Sequence, residues 1–263
     1  MSAGENSLET LVSHDRAIVA TALALLLVLA WAYTVAMAIG VPEADRHAAM
    51  GMDTGAWMPW TGIEAALIFV MWVVMMVAMM MPAAAPMVLT YVRINRQRAP
   101  VSSPFGADAA FLLGYLVLWG LFSLAAATAQ WLLHMATLLS LAMASASPVF
   151  SALLLIGAGF YQFTPLKSAC LAKCRTPMGF LMSEWRNGVR GAFIMGLRHG
   201  LYCLGCCWLL MVLLFVAGVM NLLWIALIAL AVLAEKVLPF GVWVSRALGV
   251  ALIAGGIGLL ALP

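Results

Sequence analysis

The stretch AAFLLGYLVLWGLFSLAAATAQWLLHMATLLSLAMASASPVFSALLLIGAGFYQFTPL, from Ala109 to Leu166, contains no Asp, Glu, Lys or Arg. A helix needs roughly 20 apolar residues to cross the hydrocarbon of a bilayer, so this single run holds two crossings joined near residues 134–148. Backbone amides and carbonyls cannot go unpaired in lipid. The alternating polar and apolar pattern of a barrel strand is missing, so the crossings are helices. Outward from this run, residues 17–43 and 65–92 supply two spans before it. Residues 199–234 hold two short spans that turn at Gly218-Val219-Met220-Asn221, and residues 240–262 close the chain with Arg246 as their one charge. The expectation is an all-α, polytopic transmembrane helix bundle of about seven spans, or six if Gly218 only kinks a helix.

Composition agrees with that pattern. Of 263 residues, 66% are hydrophobic and 9% are charged, whereas soluble domains carry about 25% charged residues. So few charges cannot cover the surface of a soluble fold of this size, which excludes water-soluble enzyme folds. The 13 Lys and Arg, with a net charge of +3, are scattered between the apolar spans. A basic patch for nucleic acid is therefore not expected.

Orientation follows from where those basic residues fall. With the N-terminus in the cytoplasm, the inner loops hold Arg16; Arg93, Arg96 and Arg98; Lys167, Lys173, Arg175, Arg186, Arg190 and Arg198; and Lys236 with Arg246. That is 12 of the 13, with Arg46 alone outside, and it places the C-terminus outside. Residues 1–16 form a polar cytoplasmic tail whose acidic character does not suit a cleaved leader. Residues 17–263 read as a single, multi-pass membrane domain. Ser103-Pro104, Ser147-Pro148, Thr164-Pro165 and Thr176-Pro177 each set an N-cap residue before a proline suited to the first helical turn. Thr61 to Glu64 has the form of a capping box. Residues 165–198 thus contain two short amphipathic helices along the cytoplasmic face.

The chemistry-bearing residues are concentrated. All five cysteines lie within residues 170–207. Cys170 and Cys174, four apart, share a helix face. In the next span Met195, His199, Cys203 and Cys207 recur at i, i+4, with Cys206 beside them. On an ideal helix these five fall within an arc of about 120°, and His199 to Cys207 extends about 12 Å. Thiol, imidazole and thioether on one narrow face are the ligands that a soft ion such as Cu(I) selects. Zinc fits less well, because the spacing is not that of a zinc knuckle and thioethers add nothing for zinc. Disulfide exchange also fits poorly, since both clusters lie toward the reducing cytoplasmic side and no cysteine lies in an outer loop. The bland alternative is that the cysteines are small apolar packing residues beside Gly196, Gly200 and Gly205.

Nineteen methionines accompany them. Met71, Met75 and Met79 share an arc of the second span, but Met80 and Met81 point elsewhere, and a wrapped set favours packing over a ligand ladder. Pro82 and Pro86 are expected to kink that span. The outer loop offers His47, Met50 and Met52 as a second candidate copper group, read either so or as an ordinary loop over the aromatic belt of Trp57 and Trp60. Glu235 and Lys236 read as snorkelling charges at a span end, with Arg246 placed to pair with Glu235. No Ser/His/Asp set, paired carboxylates or phosphate-binding glycine loop points to an enzyme.

Three segments also resemble a bacterial family of metal-binding integral membrane proteins. They are Met75-Met76-Val77-Ala78-Met79-Met80-Met81-Pro82 with Pro86-Met87; Tyr161-Gln162-Phe163-Thr164-Pro165-Leu166-Lys167 with Cys170 and Cys174-Arg175; and Gly200-Leu201-Tyr202-Cys203-Leu204-Gly205-Cys206-Cys207-Trp208. Met220-Asn221-Leu222 and Glu235-Lys236 fit its C-terminal part, and the likeness runs from about Trp57 to Pro239. The family is similar to a membrane copper chaperone that supplies a bacterial tyrosinase. The resemblance implies copper delivery at or across the inner membrane, to a copper-receiving protein outside the cytoplasm.

The combined expectation is a Cu(I) route from Cys170 and Cys174, along Met195, His199, Cys203, Cys206 and Cys207, to His47, Met50 and Met52. The competing expectation is a structural or assembly subunit of a membrane enzyme complex. Its support is the glycine-rich faces of spans five and seven, which suit close contacts within the bilayer in a homo- or hetero-oligomer.

Overall fold

The computed structural model describes residues 17–39, 62–98, 104–136, 138, 145 and 147–261. The described residues are all-α, without a β-strand. In chain order the helices are α1 (Ala17–Ile39), α2 (Gly62–Arg98), α3 (Pro104–Met135), α4 (Pro148–Tyr161), α5 (Pro165–Arg175), α6 (Pro177–Glu184), α7 (Gly188–Val212), α8 (Leu214–Ala217), α9 (Leu222–Val237) and α10 (Gly241–Ala261). Five spans are long and apolar enough to cross a membrane: α1, α2, α3, α7 continued by α8, and α10. The α4–α5 pair, bent by 65°, makes up to six. The seven-span expectation counted α9 as well. With 16 residues, α9 is about 24 Å long, short of a hydrocarbon core of about 30 Å.

Several local expectations can be followed to their atoms. Ser147 and Thr164 cap α4 and α5, accepting from the Phe150 and Lys167 amides at 3.3 Å each. Thr176 does not cap α6. Its hydroxyl instead donates back to the Ala172 carbonyl at 2.8 Å. Gly218 adopts φ +101° and divides α8 from α9, a conformation that favours glycine. Ser103 and Thr61 lie outside the described residues.

The proline-containing span runs on as one helix, and a carbonyl freed by its first proline finds a partner. Pro82 has no N–H for the Ala78 carbonyl. Trp31 of α1 donates its indole N–H to that oxygen at 3.1 Å. Tyr115 of α3 donates to the carbonyl of Met80 at 3.4 Å.

Two close helix pairs frame the bundle. A Cβ placed on Gly196 of α7 would lie 2.0 Å from the Phe111 carbonyl oxygen of α3, and one on Gly114 would lie 2.3 Å from the Phe193 oxygen. Across α4 and α10, Cβ atoms on Gly159 and Gly249 would come within 2.8 and 3.0 Å of each other's carbonyl oxygens. Small residues let helix backbones approach in this way inside a membrane. The glycines of α7 and α10 that supported an assembly-subunit reading are thus largely used within the chain. Gly255 and Gly258 face open space. Outward-facing Leu25, Val28, Leu29, Leu121 and Val250 leave an apolar exterior of the kind that lipid covers.

A buried polar network ties four segments together near the α4–α5 bend. Lys167 and Glu235, each 1% exposed, form an ion pair at 2.8 Å. Lys167 also donates to Gln162, which accepts from Ser245 at 2.8 Å. The expected partner of Glu235, Arg246, instead lies over the Trp243 ring, 5.1 Å from its centroid. Removing one member of a buried pair strands the other charge, at a cost of about 3–5 kcal/mol. Glu235→Ala is therefore expected to lower stability by about that amount, measured by thermal unfolding in detergent. Replacing both partners by apolar residues should recover most of the loss.

Candidate metal centre

α7 carries the sequence stripe into the core. Met195, His199, Cys203, Cys206 and Cys207 are between 0 and 2% exposed, as the shared helical face requires. All five cysteines of the chain are free thiols.

The structure brings α5 onto this stripe. Cys174 is buried and comes close enough to Cys203 and Cys206 to interact with both thiols. Cys207 likewise interacts with Cys203 and Cys206. Cys170 is half-buried against Gly205 of α7, where a Cβ would lie 2.7 Å from its sulfur. Cys170 and Cys174 were expected on a cytoplasmic surface as a separate entry point. Cys174 sits instead against the α7 stripe and Cys170 against Gly205 of the same helix, because α5 turns by 65° from α4 and packs its Leu171 and Cys174 face inward. The amphipathic period was legible, but which neighbour the apolar face would meet was not.

α2 and α3 close the other side. The Met80 thioether lies 3.7 Å from the Cys207 sulfur, and the Tyr115 hydroxyl lies 3.3 Å from Cys203 Sγ. Met80 is one of the two methionines, with Met81, that the helical angles set apart from the Met71, Met75 and Met79 arc. Helix geometry alone could not show which methionine α7 would meet. Met195 is not brought to the thiols. Its sulfur accepts from the Arg186 amide at 3.0 Å, and its side chain packs with Phe111 and Phe180.

α9 supplies the residue that the sequence reading treated otherwise. Lys236 is 7% exposed, and its Nζ donates to Cys203 Sγ at 2.9 Å. Snorkelling is thereby corrected: the ammonium points into the bundle. Neighbouring residues on a helix point about 100° apart. Glu235 therefore faces Lys167 of α5 while Lys236 faces Cys203 of α7. The signal available in the sequence was the pair of opposite charges at the end of an apolar run.

His199 has a distinctive environment. Its ring lies among Phe111, Tyr115 and Phe180, with centroids 6.2, 5.6 and 5.6 Å away. Among the described residues neither ring nitrogen has a hydrogen-bond partner. A buried polar group left unpaired costs about 1–3 kcal/mol.

Among the described residues, no group of three or more His, Cys, Asp or Glu side chains is set out as a ready metal site. The Cys206 and Cys207 thiols turn back to the Cys203 carbonyl at 3.1 and 3.0 Å, and Lys236 stands at Cys203. The residues offer soft donors at close quarters, but in rotamers that satisfy one another. His47, Met50 and Met52 lie outside the described residues.

A family model described as PpoB2, copper chaperone, matches residues 69–259. No curated protein and no solved structure matches the chain. The match takes in α7, α5, α9 and most of α2, the elements that carry the thiols, Met80 and Lys236. Covering well over half of the 263 residues, it establishes that the chain belongs to the PpoB2 copper chaperone family.

Proposed function

We propose that this chaperone carries copper as Cu(I) on the buried cluster of Cys174, Cys203, Cys206 and Cys207, with Met80 and His199 as further donors. It delivers the ion to a copper protein outside the cytoplasm of a bacterial cell, from the inner membrane, and is not itself an enzyme. The observation that carries this reading is the convergence of four thiols from α5 and α7 beside an unpaired imidazole and a thioether. Packing alone accounts for cysteine in tight contacts, but not for a buried histidine with two unsatisfied nitrogens at the same place. Cu(I) suits these donors because thiolate and thioether are soft ligands. Half-buried Cys170, next to the cluster, and the outer group His47, Met50 and Met52 give the route its two ends, with Met195 beside it. The concentration of Lys and Arg in the inner loops supports an N-terminus in the cytoplasm.

The test is the copper and zinc content of the purified protein after anaerobic loading, by elemental mass spectrometry. Stoichiometric copper is expected, and a protein that retains no metal would move the reading to a structural subunit. Transfer is then followed by mixing the loaded chaperone in vesicles with a copper-free acceptor protein placed outside them.

His199→Phe gives a second expected outcome. The phenyl ring keeps the aromatic stack and removes the two nitrogens. Copper affinity should fall by at least the roughly tenfold that even an outer partner of a metal site is worth. Stability of the metal-free protein should hold or rise by up to about 1–3 kcal/mol, since an unsatisfied buried polar group is gone. Titration with a chromogenic Cu(I) chelator and thermal unfolding measure the two effects.

A further inference from the structure

We propose that Lys236 is the counter-charge of the thiol cluster and sets its preference for a monovalent ion. The inference rests on the copper reading above and deepens it. The Lys236 ammonium is buried, bonded to Cys203 Sγ at 2.9 Å, and lies near Cys174, Cys206 and Cys207 as well. The acidic side chain next to it in sequence, Glu235, is held by Lys167. Among the described residues, the cation bonded to the sulfur cluster is Lys236.

Thiols bind metal as thiolates and give up their protons on binding. With two of the four cysteines bound to Cu(I) as thiolates and the others remaining thiols, the site carries one net negative charge, and an isolated charge in a low-dielectric interior is costly. One fixed ammonium beside the sulfurs cancels it. A divalent ion on the same two thiolates is already neutral, and Lys236 is then the uncompensated charge. The same lysine that supports Cu(I) thus opposes Zn(II) at a two-thiolate site. Specificity built from a repulsive element as well as an attractive one is a general device. In the metal-free protein Lys236 bonds to Cys203 directly, and it must move aside, without leaving the cluster, when the ion enters.

The experiment compares wild type, Lys236→Met and Lys236→Arg in detergent, anaerobically, against a chromogenic Cu(I) chelator and separately against a Zn(II) chelator. Lys236→Met should lose roughly a hundredfold or more in Cu(I) affinity, the scale on which stranding a buried charge operates. Its Zn(II) affinity should stay or rise, which a merely misfolded variant cannot give. Lys236→Arg keeps the charge and should retain most of the Cu(I) affinity. Unchanged Cu(I) binding in a folded Lys236→Met variant, with wild type loaded, overturns the inference and leaves the copper reading standing. Wild type without copper overturns both. X-ray absorption of copper-loaded wild type provides a readout that needs no variant. Two thiolate sulfurs on copper are expected, and three or more, which one lysine cannot balance, overturn the proposal even where Lys236→Met does not fold.

Discussion

Serine at Cys203, Cys206 and Cys207 together is expected to leave a folded protein that no longer retains copper. The oxygen of serine is close in shape to the thiol, and each of these side chains is almost fully buried. Hydroxyls can take over the bonds that Cys206 and Cys207 make to the Cys203 carbonyl, as serine side chains commonly bond one turn back in a helix. The helix should therefore persist. What is lost is the soft donor set, since a neutral hydroxyl is a poor ligand for Cu(I). Single replacements separate the residues further. Cys203→Ser should cost more than either neighbour, because Cys203 alone contacts Lys236 and Tyr115. Elemental analysis gives the copper content, and circular dichroism with size-exclusion chromatography checks the fold. Copper retained at wild-type level by the folded triple variant would reduce the cysteines to packing residues and remove the basis for the proposed site.

The all-α class, the presence of helices long and apolar enough to cross a membrane, and the position of most helices were legible in residue order. Uncharged runs long enough for lipid require helices, and Pro148 and Pro165 marked helix starts where Ser147 and Thr164 cap them. The α7 stripe was also legible, since the period of a helix places Cys203 and Cys207 under His199 without knowledge of the fold. The origin of the opposing wall was not. Met80, Tyr115, Cys174 and Lys236 reach the stripe from four other helices. Their arrival depends on helix crossings that local periodicity does not encode. Lys236 shows the difficulty most directly. At the end of an apolar helix a lysine can reach outward to water or inward to an anion. The inward choice is decided by Cys203, which lies 33 residues away in sequence.

Those crossings depend on the glycines, and Gly196→Val is expected to have the largest effect on the fold of any single change in α7. A Cβ there would lie 2.0 Å from the Phe111 carbonyl oxygen and 2.8 Å from its carbon. The obstacle is backbone, which cannot rotate away as a flexible side chain can, so α3 and α7 must separate. Overpacking a well-filled interior costs about 1–3 kcal/mol and sometimes more, and a main-chain clash belongs at the upper end. The site should fail with the interface. Phe111 and Tyr115 hold His199 between them, and Tyr115 reaches Cys203 from the same face of α3. Gly120→Ala and Gly255→Ala provide internal controls, because nothing lies within 4 Å of a Cβ at either position. In a helix, alanine there should be neutral or stabilising by up to about 1 kcal/mol. Thermal unfolding in detergent and copper retention should therefore fall together in Gly196→Val and remain at wild-type level in both controls. Equal behaviour of all three variants would mean that α3 and α7 do not meet at Gly196, and the wall formed by Tyr115 would have to be placed elsewhere.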